Sequence, residues 1–273
     1  MWDRIEPLMP ADPIRGRRWA DHRRTLEAIA WKYRTCSPWR DLPDELGSFQ
    51  TAHKRLLRWA VDGTWKRILA ALLEVADAGD DIGWTVSVDS TVCRAHQHAA
   101  GARKKGIDRA EPDDHALGRS RGGLSTKVHL VSDSHARPLV LRVTAGQAGD
   151  APAFEAVMAG IRVPRSGRPK TRPDAVLADR AYSSRAIRSH LRRRGIRAVI
   201  PQPSDQVGHR LRRGRAGGRP PAFDAETYKQ RNAVERCINR FKQWRGLAMR
   251  TDKLAIAYQA AFHLAAILIW ARR

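Results

Sequence analysis

Three acidic side chains sit in surroundings that suit metal-assisted chemistry: Asp89 in TVSVDSTV, Asp179 in AVLADRAY and Glu235 in YKQRNAVERCINRFK. The first two segments read as strands and the third as a helix. At about 100° per residue, Tyr228, Arg231, Glu235, Asn239 and Lys242 share a sector of roughly 80°. Val234, Cys237, Ile238 and Phe241 fill a neighbouring sector, so the segment has an apolar face to bury and a polar face to present. Carboxylate oxygens are hard ligands that favour Mg²⁺ or Mn²⁺ over zinc or copper. Two such ions about 3.5 to 4 Å apart activate an attacking oxygen and stabilise a leaving oxygen in an in-line displacement at phosphorus. The carboxylates do this work ionised, without a covalent enzyme intermediate.

The charge balance names a polyanion as partner. The chain has 273 residues, and 51 Lys and Arg against 28 Asp and Glu leave a formal charge of +23. Solubility requires far less, and nucleic acid is the commonest partner for such a surface because phosphate contacts release counterions. Cys36, Cys93 and Cys237 are odd in number and widely spaced. They support neither a disulfide framework nor a zinc cluster and fit a reducing cytoplasm. The start, MWDRIEPLMP, lacks the pattern of a secretory signal. Leu254 to Ala271 is 18 residues without a charge, but Gln259 and His263 interrupt it, and a buried helix packed on a sheet is expected rather than a membrane span.

Around these residues the pattern changes once, near residue 80. Before it, Asp21, Ser48 and Thr64 each precede helical apolar spacing and read as N-caps, which gives a helical domain over 1–80. Its second helix carries His53, Lys54, Arg55 and Arg58 in about one and a half turns, like a recognition helix of a helix-turn-helix unit. After it, strands are expected through Asp89, at Leu124–Val131 and Pro138–Thr144, through Asp179, and at Ile196–Ile200. Helices are expected at Asp150–Ala159 and from a Ser183 cap to Arg194. Residues 94 to 123 read as a loop, and the Arg, Gly and Pro-rich stretch 203 to 221 as mobile without a ligand. The order is that of an α/β domain over 81–273, half hairpin and half crossover-connected, with a basic insert at about 203–222.

Other side chains have a plainer reading beside the functional one. Arg119 and Arg121, before a strand, can bind phosphate or be solvated. His96 and His98 read as structural or backbone-contacting, Tyr182 as packing beneath the Asp179 turn or touching DNA, and the early tryptophans as core.

Four stretches make the chain resemble the DDE transposases of bacterial insertion sequences, most closely the insertion-sequence-five family: VDSTVCRAHQHAAGA, GRSRGGLSTKVHL, LADRAYSS, and the Y-x-x-R-x-x-x-E-x-x-x-x-x-x-K signature met by Tyr228, Arg231, Glu235 and Lys242. The loop from Cys36 to Pro43 also matches, so the resemblance runs nearly the whole length. It implies an RNase H-like mixed-sheet core with Asp89, Asp179 and Glu235 as catalytic ligands of two Mg²⁺, or Mn²⁺, ions. It also implies cleavage at the terminal inverted repeats of a mobile element and attack of the exposed 3′-hydroxyl on target DNA. Arg231 and Lys242 would then hold DNA phosphates and Tyr228 the terminal nucleotides, with Lys54, Arg55, Arg58, Arg119 and Arg121 as further DNA contacts. Double-stranded DNA is the expected partner, a homodimer or larger assembly the expected working form, and the bacterial nucleoid the expected place. A nuclease that cuts without joining and a non-catalytic DNA-binding derivative are the alternatives.

Overall fold

The computed structural model describes residues 1–16, 18–101 and 111–272. One-turn α1 (Trp2–Ile5) precedes α2 (His22–Thr35), α3 (Phe49–Val61) and α4 (Thr64–Ala78). Asp21 caps α2 as expected, accepting from the Arg24 N–H at 2.6 Å. Ser48 makes no side-chain cap, and Gly63 rather than Thr64 occupies the cap of α4, because a left-handed residue is needed there.

The sheet begins with β1 (Thr85–Ala95), followed by one-turn α5 (Gln97–Ala100), β2 (Gly118–Ser120), β3 (Gly123–Ser132) and β4 (Pro138–Ala145). The segment expected to be a loop thus carries the end of β1, a helical turn and an edge strand, and its centre, 102–110, lies outside the described residues. Helix α6 (Asp150–Ala159) leads to β5 (Ala175–Leu177), α7 (Arg185–Arg193) and β6 (Arg197–Val199). Ser184, not Ser183, caps α7, since Ser183 closes the preceding turn. The basic insert, expected to be mobile, is helical in α8 (Ser204–Arg212).

The C-terminal part comprises α9 (Ala225–Tyr228), α10 (Asn232–Lys242), α11 (Arg245–Ala248), the short β7 (Met249–Arg250) and α12 (Ala255–Ala271). The continuous helix expected from Tyr228 to Lys242 is therefore broken by a 3-10 turn at Lys229–Arg231. Among the described residues, no helix is long and apolar enough to cross a membrane.

Strand β1 pairs antiparallel with β3, and β3 with β4, while β5 and β6 continue the sheet parallel to β1. The order β4-β3-β1-β5-β6, with a hairpin-built half and a crossover half, is the RNase H-like arrangement. Helix α10 packs over β1 and β3, and α6 packs against β3 and β4.

Helix α12 makes one core of the sheet and the N-terminal helices. It packs against α2, α3 and α4 and against β4. The Trp270 indole donates to the Pro138 carbonyl at 2.8 Å and the Gln259 amide to Leu141 at 3.5 Å. These contacts explain why this charge-free helix carries a polar residue, and they join both regions in a single buried cluster. The change near residue 80 is one of secondary structure, with no break in the core.

Candidate functional site: two carboxylates bridged by an arginine

The register of β1 and β5 brings two of the acids together. Thr85 pairs with Ala175, Val86 with Val176 and Ser87 with Leu177. Two residues beyond Ser87 stands Asp89, still in β1, and two beyond Leu177 stands Asp179, which lies past the end of the strand expected through it. Pairing stops at Leu177, so both acids stand where the strands part, and Asp179 caps the 3-10 turn Arg180–Tyr182 by accepting the Ala181 N–H at 2.9 Å. Such a divergence leaves carboxylates facing open space at the sheet's edge.

Glu235 enters from the first turn of α10, where Ala233, Val234, Cys237 and Phe241 are buried and hold the helix on the sheet. Its link to Asp89 is Arg231, the last residue of the 3-10 turn. One guanidinium nitrogen donates to Asp89 Oδ2 at 2.6 Å and another to Glu235 Oε1 at 2.6 Å. Asp89 also accepts the Ser90 N–H at 2.8 Å. Burial pushes the Asp89 carboxyl up, opposed by the Ser90 N–H and Arg231 and reinforced by the charges of Asp179 and Glu235. The charges of the other two acids are thus felt at Asp89.

Tyr228 packs with Ala175, Leu177 and Val199 at the β5–β6 edge, its ring 5.3 Å from that of Phe223. Burial raises its phenol, and Asp179 and Glu235 add to the effect. Tyr182 lies buried under the Asp179 turn against Phe154, with ring centres 5.7 Å apart. Lys242 is exposed two turns beyond Glu235, about 10 Å along the helix.

The remaining expected contacts lie elsewhere. Lys54 and Arg58 are exposed on α3. Arg55 is not a groove-facing cation: it is buried, with its guanidinium 3.8 Å from the Trp19 ring centre and bonded to His22 at 3.0 Å. Burial, with Arg58 nearby, lowers its pKa to about 10. Helical spacing placed it with Lys54 and Arg58, but one turn of α3 faces the tryptophans. Arg119 on β2 and Arg121 in the β2–β3 turn are exposed. Arg119 pairs with Leu124, whereas Asp89 pairs with Leu130, roughly 20 Å further along β3. His96 and His98 form the α5 turn at the far end of β1.

One contributor went unread in the sequence except as a helix start. Asp150 Oδ1 accepts from Ser90 Oγ at 2.6 Å and from Lys127 Nζ at 3.2 Å, with His129 Nδ1 at 3.7 Å. Ser90 follows Asp89 and points to the other sheet face, so Asp150 fixes the strand from behind. Ser90, between Val88 and Val92 on the largely apolar face of β1, with His129 and Lys127 beside it on β3, was the available signal.

The donors suit a divalent cation in kind, being carboxylate oxygens around a place that already holds positive charge. Among the described residues no three acidic, His or Cys groups lie close enough to hold a metal ion as they stand. Arg231 supplies the charge between Asp89 and Glu235, and a metal would have to displace it.

Comparison with known proteins gives the family. Residues 1–69 match a model described as "Putative transposase of IS4/5 family", and residues 82–270 match "Transposase DDE domain". The "Putative transposase for insertion sequence element IS6501" of Brucella ovis is 28% identical over 55% of this chain and 100% of its own length. Its counterpart for IS402 in Burkholderia cepacia is 31% identical over 55% of this chain and 64% of its own. The solved Mos1 strand transfer complex is 13% identical across 97% of this chain and 80% of that one, with a TM-score of 0.29, too low to add to the topology above. With the second model spanning more than half of its length, the chain belongs to the DDE transposases, enzymes of insertion sequences.

Proposed function

We propose that the protein binds the terminal inverted repeats of its insertion sequence, cuts phosphodiester bonds at the element ends and transfers the resulting 3′-hydroxyls into target DNA. The observation that supports this reading is the β1–β5 register, which ends two residues short of both Asp89 and Asp179, together with Arg231, which ties Asp89 to Glu235. Asp89, Asp179 and Glu235 would hold two divalent ions, Mg²⁺ or Mn²⁺. When bound, such ions supply Lewis-acid stabilisation of the attacking and leaving oxygens.

The chain's own groups do the positioning. The Ser90 N–H and the Ala181 N–H fix one oxygen each of Asp89 and Asp179, leaving the others to face the ligand. Arg231, released from its two carboxylates, is within side-chain reach of a scissile phosphate lying between them, and Tyr228 and Lys242 flank that path. In the first step a water oxygen bonds to phosphorus as the 3′-oxygen leaves with a proton. In the second, that 3′-hydroxyl attacks a target phosphate and a target 3′-oxygen leaves, so phosphodiester number is conserved and no nucleotide cofactor is consumed.

Lys54 and Arg58, in the helical unit of residues 1–80, and Arg119 and Arg121 would contact duplex DNA away from the reacting bond. Two ends must be held together, which makes a homodimer the smallest working form. The test is incubation of the full chain with a duplex carrying an element end plus its flank, with Mg²⁺, Mn²⁺ or chelator. The expected result is metal-dependent 3′-hydroxyl ends and joined products, lost in Asp89→Asn. Cutting without joining would identify a nuclease, and metal-independent binding alone a DNA-binding derivative.

A further inference from the structure

Helix α8 is built without a core. None of its residues is buried, and Leu211 is 65% exposed. It is nevertheless an ordered element. Its first turn is fastened by Ser183 Oγ donating to Gln206 Oε1 at 3.0 Å, and Arg188 holds Ser183 Oγ at 3.0 Å and the Ile200 carbonyl at 2.7 Å. At its other end a 3-10 turn, Gly214–Gly217, folds back on the helix. A Cβ on Gly217 would lie 2.1 Å from the Arg210 carbonyl oxygen, so only glycine closes this turn. With half-buried but no fully buried residues, the helix draws little stability from packing of its own.

Its chemistry specifies the occupant. From Ser204 to Pro221 there are five arginines, at 210, 212, 213, 215 and 219, against the single acid Asp205. Arg212, Arg213, Arg215 and Arg219 are exposed, and among the described residues none of the five pairs with a carboxylate. By contrast Arg137 is held by Asp133 and Asp81, and Arg231 by Asp89 and Glu235. Arg212 bonds the His209 ring at 2.9 Å, and guanidinium groups free of carboxylate partners on such a surface match phosphate oxygens, which accept their paired donors.

We infer that α8 and its closing turn form a duplex-DNA contact surface that grips the backbone to one side of the scissile phosphate. The inference rests on the proposed DNA chemistry of the acid site and adds where the neighbouring duplex is held. Ser183 lies four residues past Asp179, so the helix begins at the rim of that site. Its nine residues span about 13 Å, or about four base-pair steps. The arginines cluster toward the C-terminal end of the helix and in the turn that follows it.

The test uses the full chain and a fluorescein-labelled mixed-sequence duplex of about 30 base pairs, with binding followed by anisotropy across a KCl series. Wild type is compared with a combined Arg212→Ala, Arg213→Ala, Arg215→Ala variant and with Gly217→Val, which displaces the turn while keeping every charge. The expected result is at least tenfold weaker binding by the triple variant and a salt slope smaller by up to about three, one unit per lost phosphate contact. Gly217→Val should show intermediate weakening, with circular dichroism and melting temperature of both variants unchanged. Wild-type affinity and slope in the triple variant would overturn the surface, as would a defect seen only with a single strand of equal length. Failure of wild type to bind any duplex would instead overturn the DNA reading itself.

Discussion

Arg231 Nη2 lies 2.6 Å from Asp89 Oδ2, across 142 residues of sequence, while its other terminal nitrogen holds Glu235. A guanidinium in that place neutralises acids that would otherwise repel, and a divalent cation competes for it. Arg231→Ala should therefore lower the melting temperature in chelator and restore it on adding Mn²⁺, with a larger metal-induced rise than wild type shows. Removing one partner of a fully buried pair costs about 3 kcal/mol or more, and the exposure of Glu235 brings the expected loss below that. A metal-induced rise equal to that of wild type, by differential scanning fluorimetry, would show that Arg231 does not guard the site.

Asp150 grips Asp89's strand through Ser90. Asp150→Ala should slow cleavage about ten- to a hundredfold, the usual range for groups that orient metal ligands, while leaving duplex affinity unchanged. Asp150→Asn keeps an acceptor for Ser90 and should recover part of the rate. Equal loss of rate and affinity, or equal loss in both variants, would mean that the residue merely supports the fold.

His263, inside α12, is held neutral by burial, with Lys66 adding to the effect, and its pKa falls to about 4. A histidine depressed in the fold contributes stability that is complete above its unfolded pKa near 6.5 and is lost as pH falls toward the folded value. From pH 7 to pH 5 this amounts to about 2 kcal/mol. His263→Phe should flatten that limb in urea titrations, whereas an unchanged acid limb would place the loss on other groups.

Because α12 lies against both α3–α4 and β4, the helices of the first 80 residues should not melt apart from the sheet. One calorimetric transition is expected for the full chain, and Trp270→Ala, at a cost of about 3 to 5 kcal/mol, should shift all of it. Two transitions, only one of them moved by Trp270→Ala, would separate the units.

The succession of strands and helices, with Asp89 in the first strand and Asp179 just past the end of β5, was readable because period-two alternation and a charged residue within an apolar run are local signals. Asp89 and Asp179 announced themselves in this way. The fate of Arg231 was not readable, since helical spacing put it beside Glu235 but could not say that the 3-10 turn would aim it at Asp89. Arg55 was misplaced for a related reason: sequence neighbours Lys54 and Arg58 are exposed, and only the packing of Trp19 over α3 determines which cation is covered. The insert at 203–221 has a composition that argues against a core, which is correct. It still forms a helix because Ser183 and Gly217 fix its two ends.

The most direct test of the three-acid site is Mn²⁺ titration calorimetry on folded wild type and on Asp89→Asn, Asp179→Asn and Glu235→Gln, each checked by circular dichroism. Each substitution is expected to weaken binding at least about tenfold, because all three acids serve one site. Wild-type affinity in Asp179→Asn or Glu235→Gln would contradict it, showing that the β1–β5 register and the Arg231 bridge assemble charge without assembling a metal centre.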